Sequence, residues 1–231
     1  MHMFSPEELE VLGLSLKVSL WATFLSLPAG ICVAWILARY NFPGKILLDG
    51  IIHLPLVLPP VVIGYLLLVF LNPNSPMGQF LKALNFEIAF TWIGAALAAG
   101  IMAFPLMVRA IRLSLEAVDE KLEMAARTLG AGPLSLFFSV TLPLITPGII
   151  AGSILAFARS LGEFGATITF VSNIPGETRT LPLAVYTLTQ TPNGETAAYR
   201  LVIISIAISL IALAISEIAS RRAKKRLGFE R

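Results

Sequence analysis

The sequence is short of charge, cysteine and histidine, and each shortage excludes something. Only 13% of its 231 residues are Asp, Glu, Lys or Arg, where a soluble domain carries about 25%. So few ionic groups cannot cover a water-facing surface of this size. The single cysteine, Cys32, cannot close an internal disulfide, and it reads as a small buried residue within an apolar run. The two histidines, His2 and His53, are too few for a metal cluster or for the convergent constellation of an intramembrane enzyme. No G-x-x-x-x-G-K-[ST] phosphate loop occurs either, since the one Gly-Lys pair, Gly44-Lys45, is followed by Ile46. The chain has no visible means of binding ATP itself.

Apolar length is what the sequence does have. Hydrophobic residues make up 56% of it, and the mean hydropathy is +0.82. Five stretches stand out, at about 11–37, 46–71, 88–108, 144–171 and 201–219. A helix needs roughly 20 apolar residues to cross the hydrocarbon core. The fourth stretch is continuous to Leu161 and extends to Val171 only across a break at Gly162 and Gly165. The expected fold is all-α, a single membrane domain of five spans. Residues Met1 to Glu10 hold three acids and no Lys or Arg, so the first run reads as a permanent span rather than a cleaved signal.

Basic residues set the expected orientation. With the C-terminus inside, Arg39, Lys45, Arg109, Arg112, Lys121, Arg127 and six tail residues lie on the cytoplasmic side, twelve in all. Only Lys82, Arg179 and Arg200 lie outside, while Lys17 and Arg159 fall within spans. Twelve against three places the N-terminus outside. The C-terminal cluster Arg221, Arg222, Lys224, Lys225 and Arg226 abuts the last span, where a membrane edge rather than nucleic acid explains it.

Several features keep two readings. Pro55, Pro59 and Pro60 must kink or break the second span, either for packing or to line a flexible pathway. Ala95, Ala99 and Ala103, and Gly148, Gly152 and Ala156, form small faces suited to close helix contact, within one subunit or against a second copy. Arg159 and Glu163 are an i,i+4 pair deep in the fourth span. They could offer potential and a gate to a passing anion, or brace the break beside them. Lys17 reads as a snorkelling residue and His53 as interfacial. The polar, turn-rich segment 172–199 includes the apolar stretch Leu181 to Leu188, too short to span and expected to lie in the outer interface.

Between the third and fourth spans lies a loop, 109–143, much longer than adjacent helices require. Leu113 to Leu129 reads as one charged amphipathic helix with Leu115, Val118, Leu122, Ala125, Ala126 and Leu129 on its stripe. Gly130, Gly132 and Pro133 stop it, and a second piece, Leu134 to Val140, leads to the membrane. The stripe could pack on the protein's own membrane ends or present the turn to a soluble partner.

The spacing Ala125-Ala126, Gly130 and Val140-Thr141-Leu142-Pro143 resembles the EAA loop of bacterial ABC import permeases. Met124 stands where that motif has Glu, so no salt bridge is assigned at its first position, although Glu123 is adjacent. The stretches FPGKILLDGIIHLPLVLPPVVIGYLLL, FPLMVRAIRLSLEAVD and LAFARSLGEFGATITFVSNIPGETRTLPLAVYTLTQTP are similar to the molybdate permease subunits, with sulfate/thiosulfate permeases as the near alternative. The resemblance implies a type I ABC importer permease in the bacterial inner membrane that translocates molybdate, with tungstate or sulfate as other cargoes. It further implies a homodimer, two ATPase subunits that carry ATP and Mg, and a periplasmic oxyanion-binding protein. On it, Glu123, Met124, Ala125, Ala126, Gly130, Leu142 and Pro143 form the ATPase-coupling loop. A secondary transporter or channel is the rival class, but neither an inverted repeat nor a series of intramembrane carboxylates is visible.

Overall fold

A computed structural model describes residues 5–226. The C-terminal residues 227–231, which complete the basic tail, and residues 1–4, which include His2, lie outside the described part. All regular structure among the described residues is helical. Four helices are individually long and apolar enough to cross a membrane, and a bent pair makes up to five.

The first, α1 (Pro6–Arg39), starts earlier than its apolar run because Ser5 and Glu8 form a capping box, each satisfying the other's backbone N–H. The second stretch becomes two half-helices, α2 (Lys45–Val57) and α3 (Pro60–Leu71), bent by 112°. The expected kink is therefore a reversal. At 12 and 13 residues, neither half reaches the roughly 30 Å of a hydrocarbon core at 1.5 Å per residue. Pro59 and Pro60 sit in the turn, where their missing N–H groups leave no ladder to continue. A short helix, α4 (Pro76–Ala83), fills the loop that follows.

The central element is α5 (Trp92–Glu116), which packs against α1 and against α8 (Leu142–Leu161) over the two widest helix contacts. Ala95, Ala99 and Ala103 are buried in those contacts, as are Gly148, Gly152 and Ala156. A Cβ on Gly148 would stand 2.2 Å from that of Ser114, and one on Gly152 3.1 Å from the Met107 carbonyl oxygen. The Ser160 hydroxyl donates to the Ala99 carbonyl across the same seam at 3.3 Å. The small faces therefore serve packing within the subunit, which settles one of the open alternatives.

Two expected boundaries are corrected. The loop helix expected over Leu113 to Leu129 is not one helix: α5 runs on to Glu116, and a separate α6 (Glu120–Thr128) follows. Asp119 breaks the run, its carboxylate accepting the Lys121 N–H at 2.9 Å as a helix cap. Leu115 and Val118 are buried with α5, whereas Leu122 and Leu129 are exposed, so the stripe is divided between two roles. Beyond Gly130, α7 (Pro133–Leu136) passes through a π-turn (Phe137–Thr141) into α8 without a stop. The fourth long helix ends at Leu161, where the sequence places the break, and residues 165–171 form a distinct helix, α9 (Gly165–Val171), packed on α3 and α5. Gly64 and Gly165 permit that contact: a Cβ on Gly64 would meet the Ala166 carbonyl at 2.5 Å, and one on Gly165 the Pro60 ring at 2.8 Å.

The remaining helices are α10 (Leu181–Thr189) and α11 (Glu195–Arg226). Leu181, Leu183 and Ala184 bury α10 between α1 and α11, and the Leu181 N–H donates to Ser15 at 2.6 Å.

Candidate functional site

Helix α6 is nearly bare. Leu122, Met124 and Leu129 are 50%, 56% and 88% exposed, and its widest contacts are with α7 and the π-turn. Ala125 is exposed beside Met124, and Ala126 is half-buried. The helix ends as a glycine C-cap: Gly130 has φ +86°, and the Ala131 N–H returns to the Ala126 carbonyl at 3.1 Å. A side chain at Gly130 would meet no atom within 4 Å, so only backbone strain, about 1 kcal/mol, opposes one. Leu134 and Phe138 extend the exposed apolar surface across the turn. Leu142 and Pro143 open α8 at the end of the π-turn. The motif residues thus come together at one end of the molecule, with an apolar patch facing outward.

Glu123 is the exception, because it points inward. Successive helix residues are turned by about 100°, which aims Met124 outward and Glu123 back toward the protein. The Glu123 carboxylate lies 2.8 Å from the Arg39 guanidinium at the end of α1, both side chains being 13% exposed. The same oxygen accepts the buried Thr141 hydroxyl at 3.0 Å. No salt bridge was assigned to the motif's first position, Met124; the adjacent Glu123 forms one, and it is internal.

Arg159 and Glu163 do pair, at 2.7 Å, with 29% and 2% of their side chains exposed. The second Glu163 oxygen accepts the Ala166 N–H at 2.9 Å, capping the first turn of α9. Every polar atom of that carboxylate is therefore engaged in holding the α8–α9 break, which is the bracing geometry. Lys17 sits over the Trp92 ring at 3.6 Å, a cation–π contact in place of the expected snorkel.

Three further charged contacts escaped sequence reasoning. Glu8, buried, pairs with Arg200 at 2.9 Å and ties the starts of α1 and α11 together. Glu177 accepts the Trp92 N–H at 3.1 Å and so caps α5 from 85 residues away. Arg112 bridges Asp49 and Glu116 at 3.1 and 2.8 Å, fastening α2 to the far end of α5, with His53 3.3 Å from Asp49. The Ser5-x-x-Glu8 capping box and the i,i+4 spacing of Arg112 with Glu116 and of Asp49 with His53 carried local signals, whereas the long-range partners carried none. A groove of 730 Å³ between α1, α2 and α5, lined by Trp21, Leu25, Ile51, Pro55, Trp92 and Phe104 among others, is almost wholly apolar and suits lipid or protein contact rather than an oxyanion.

The chain belongs to the family of binding-protein-dependent transport system inner membrane components, whose profile matches residues 26–225. It is 62% identical over 229 residues, 99% of its length and the whole of the relative, to the molybdenum transport system permease protein ModB of Escherichia coli. The Haemophilus influenzae ModB is 56% identical over 96% of this chain and 97% of its own. A sulfate transport system permease protein, CysT of Salmonella typhimurium, is 37% identical over 92% of this chain and 78% of its own. Among solved structures, a bacterial alginate ABC importer matches 95% of this chain and 80% of its own with a TM-score of 0.75 at 17% identity. The MetNI methionine ABC transporter matches 95% and 99% with a TM-score of 0.67 at 16% identity. The fold is that of an ABC importer permease.

Proposed function

We propose that this chain is the permease subunit of an ATP-driven molybdate importer, with α6 as the element that couples it to a separate ATPase. The observation that carries the cargo is the 62% identity with the E. coli molybdenum permease over 99% of the chain, against 37% with the sulfate permease. Sulfate, thiosulfate and tungstate are the competing cargoes, all tetrahedral or near-tetrahedral dianions.

The arrangement supports a mechanical role. The exposed apolar surface of Leu122, Met124 and Leu129 is what a helix presents to a groove on a partner. Motion of α6 reaches the membrane through the continuous helical stretch 133–161, whose 29 residues reach about 44 Å at 1.5 Å per residue. Tight packing of α8 on α5 then moves both helices as one body. Two copies of this chain form the pathway between them, and two ATPase subunits hold the ATP and Mg. A periplasmic oxyanion-binding protein docks at the opposite end, and the N-terminus lies outside with the C-terminus in the cytoplasm. Arg159 is largely neutralised by Glu163, so selectivity rests with the binding protein rather than with a tight site here.

Uptake of labelled molybdate into cells lacking other carriers tests the cargo. Expression of this chain with its ATPase and binding protein is expected to restore uptake, and a hundredfold excess of sulfate is expected to leave most of it. Equal competition by sulfate would overturn the molybdate assignment.

A further inference from the structure

The last turn of α1 holds the base of the α6 loop at two points, four residues apart on one helix face. Trp35 stacks on Phe137 of the π-turn, with ring centroids 4.4 Å apart and planes 23° from parallel. Arg39 reaches Glu123 at 2.8 Å, and Glu123 in turn holds Thr141, whose side chain is buried. One carboxylate oxygen therefore joins three elements: the end of α1, the middle of α6 and the π-turn that opens α8. This node matters because α6 has little else. Its own apolar residues face outward, and its widest contacts within the chain are with α7 and the π-turn. A π-turn is itself a place where the helical ladder is already perturbed.

We infer that Glu123 is a positioning residue that locks α6 to α1 as well as to α8, so that partner movement is delivered to two membrane helices instead of one. The inference rests on the coupling role proposed for α6. Without the Glu123 lock, a pull on α6 is absorbed by the π-turn, which can re-form its hydrogen bonds, and α1 is left behind. ATP would then be hydrolysed without transport. Met124, 56% exposed at the motif's first position, points outward and carries no part of the lock. The charge at 123 acts inward.

The test uses the full chain reconstituted in liposomes with its ATPase subunit and binding protein, reading molybdate uptake per ATP hydrolysed. Glu123→Gln keeps an oxygen for Thr141 but removes the ion pair, and Arg39→Gln removes it from the other side. Both variants are expected to co-purify with the ATPase and hydrolyse ATP while uptake per ATP falls about tenfold, within the usual range of a coupling energy. The exchange Arg39→Glu with Glu123→Arg is expected to recover much of the ratio, which a general loss of stability would not allow. A wild-type ratio in both single variants overturns the inference. So does loss of ATPase binding in Glu123→Gln that Arg39→Gln does not share, because that result assigns Glu123 to the partner. Should Glu123→Gln fail to accumulate, Arg39→Gln and the exchange decide alone by the same criteria. If the wild-type chain itself binds no ATPase, the coupling reading has failed instead, and that is seen before any variant is made.

Discussion

Replacing Arg159 with alanine is expected to destabilise the protein by about 3 kcal/mol, the scale for breaking a buried ion pair from one side. Glu163 is 2% exposed, and Arg159 at 2.7 Å is the cation that balances it. Without Arg159 the carboxylate keeps only the Ala166 N–H, and a charge buried without a counter-ion is costly. The loss is expected to localise at the α8–α9 break, freeing α9 from α3. The double variant Arg159→Met with Glu163→Gln removes both charges at similar volume and is expected to lose much less. Thermal unfolding of the purified chain in detergent separates these cases. If Arg159 instead serves the moving anion, Arg159→Ala will melt like wild type and lose uptake alone.

A valine at Gly148 is expected to be at least as damaging, costing about 3 kcal/mol by overpacking. Its Cβ would stand 2.2 Å from that of Ser114 and 3.2 Å from the Ala110 carbonyl oxygen, at one of the two widest helix contacts in the protein. A neighbouring side chain can give way, but the α5 backbone behind it cannot move without opening the whole seam. Ser114→Gly in the same chain removes the first obstacle, so it is expected to recover part of the loss. Gly13 is the control, because a Cβ there would meet nothing within 4 Å, and Gly13→Ala is expected to be neutral or slightly stabilising through helix propensity. The yield of monodisperse protein and its melting temperature read both. Equal melting of Gly148→Val and wild type would mean that the α5–α8 seam is not packed as described.

What the sequence made legible was set by local composition. Apolar length marked the membrane stretches, and the glycines and Pro133 marked the end of α6, because span length and helix termination depend on neighbouring residues alone. The prolines of the second stretch announced a break, but not that the chain would reverse by 112° there. Nor did they announce that α9 packs beside α3 at Gly64 and Gly165, a contact between distant stretches of the chain. The single helix expected over Leu113 to Leu129 failed because its apolar periodicity runs on through Val118 regardless. Only the Asp119 cap divides it, and a capping aspartate looks like any other charge in a charged helix.

The coupling motif was readable and its electrostatics were not. Glu123 and Arg39 are 84 residues apart, and Glu8 and Arg200 are 192 apart. No periodicity links such pairs. With Met124 in place of the motif glutamate, no salt bridge was assigned at that position, and the fold supplies one from the adjacent Glu123, turned inward. The Arg159–Glu163 pair was visible because four residues on a helix is a local relation. Its role as the cap of α9 needed the break after Leu161 to be seen.

The exposed face of α6 is the proposed seat of a cytoplasmic ATPase. Cysteines placed one at a time at Met124 and Leu129, 56% and 88% exposed, test it directly in a Cys32→Ser background. Met77 in α4, 52% exposed, is the reference on the face assigned to the periplasm. Chains co-expressed with the ATPase in intact membranes are treated with a thiol cross-linker of short span. ATPase adducts are expected from positions 124 and 129 and none from 77. Adducts from 77 with none from 124 or 129 would contradict that placement.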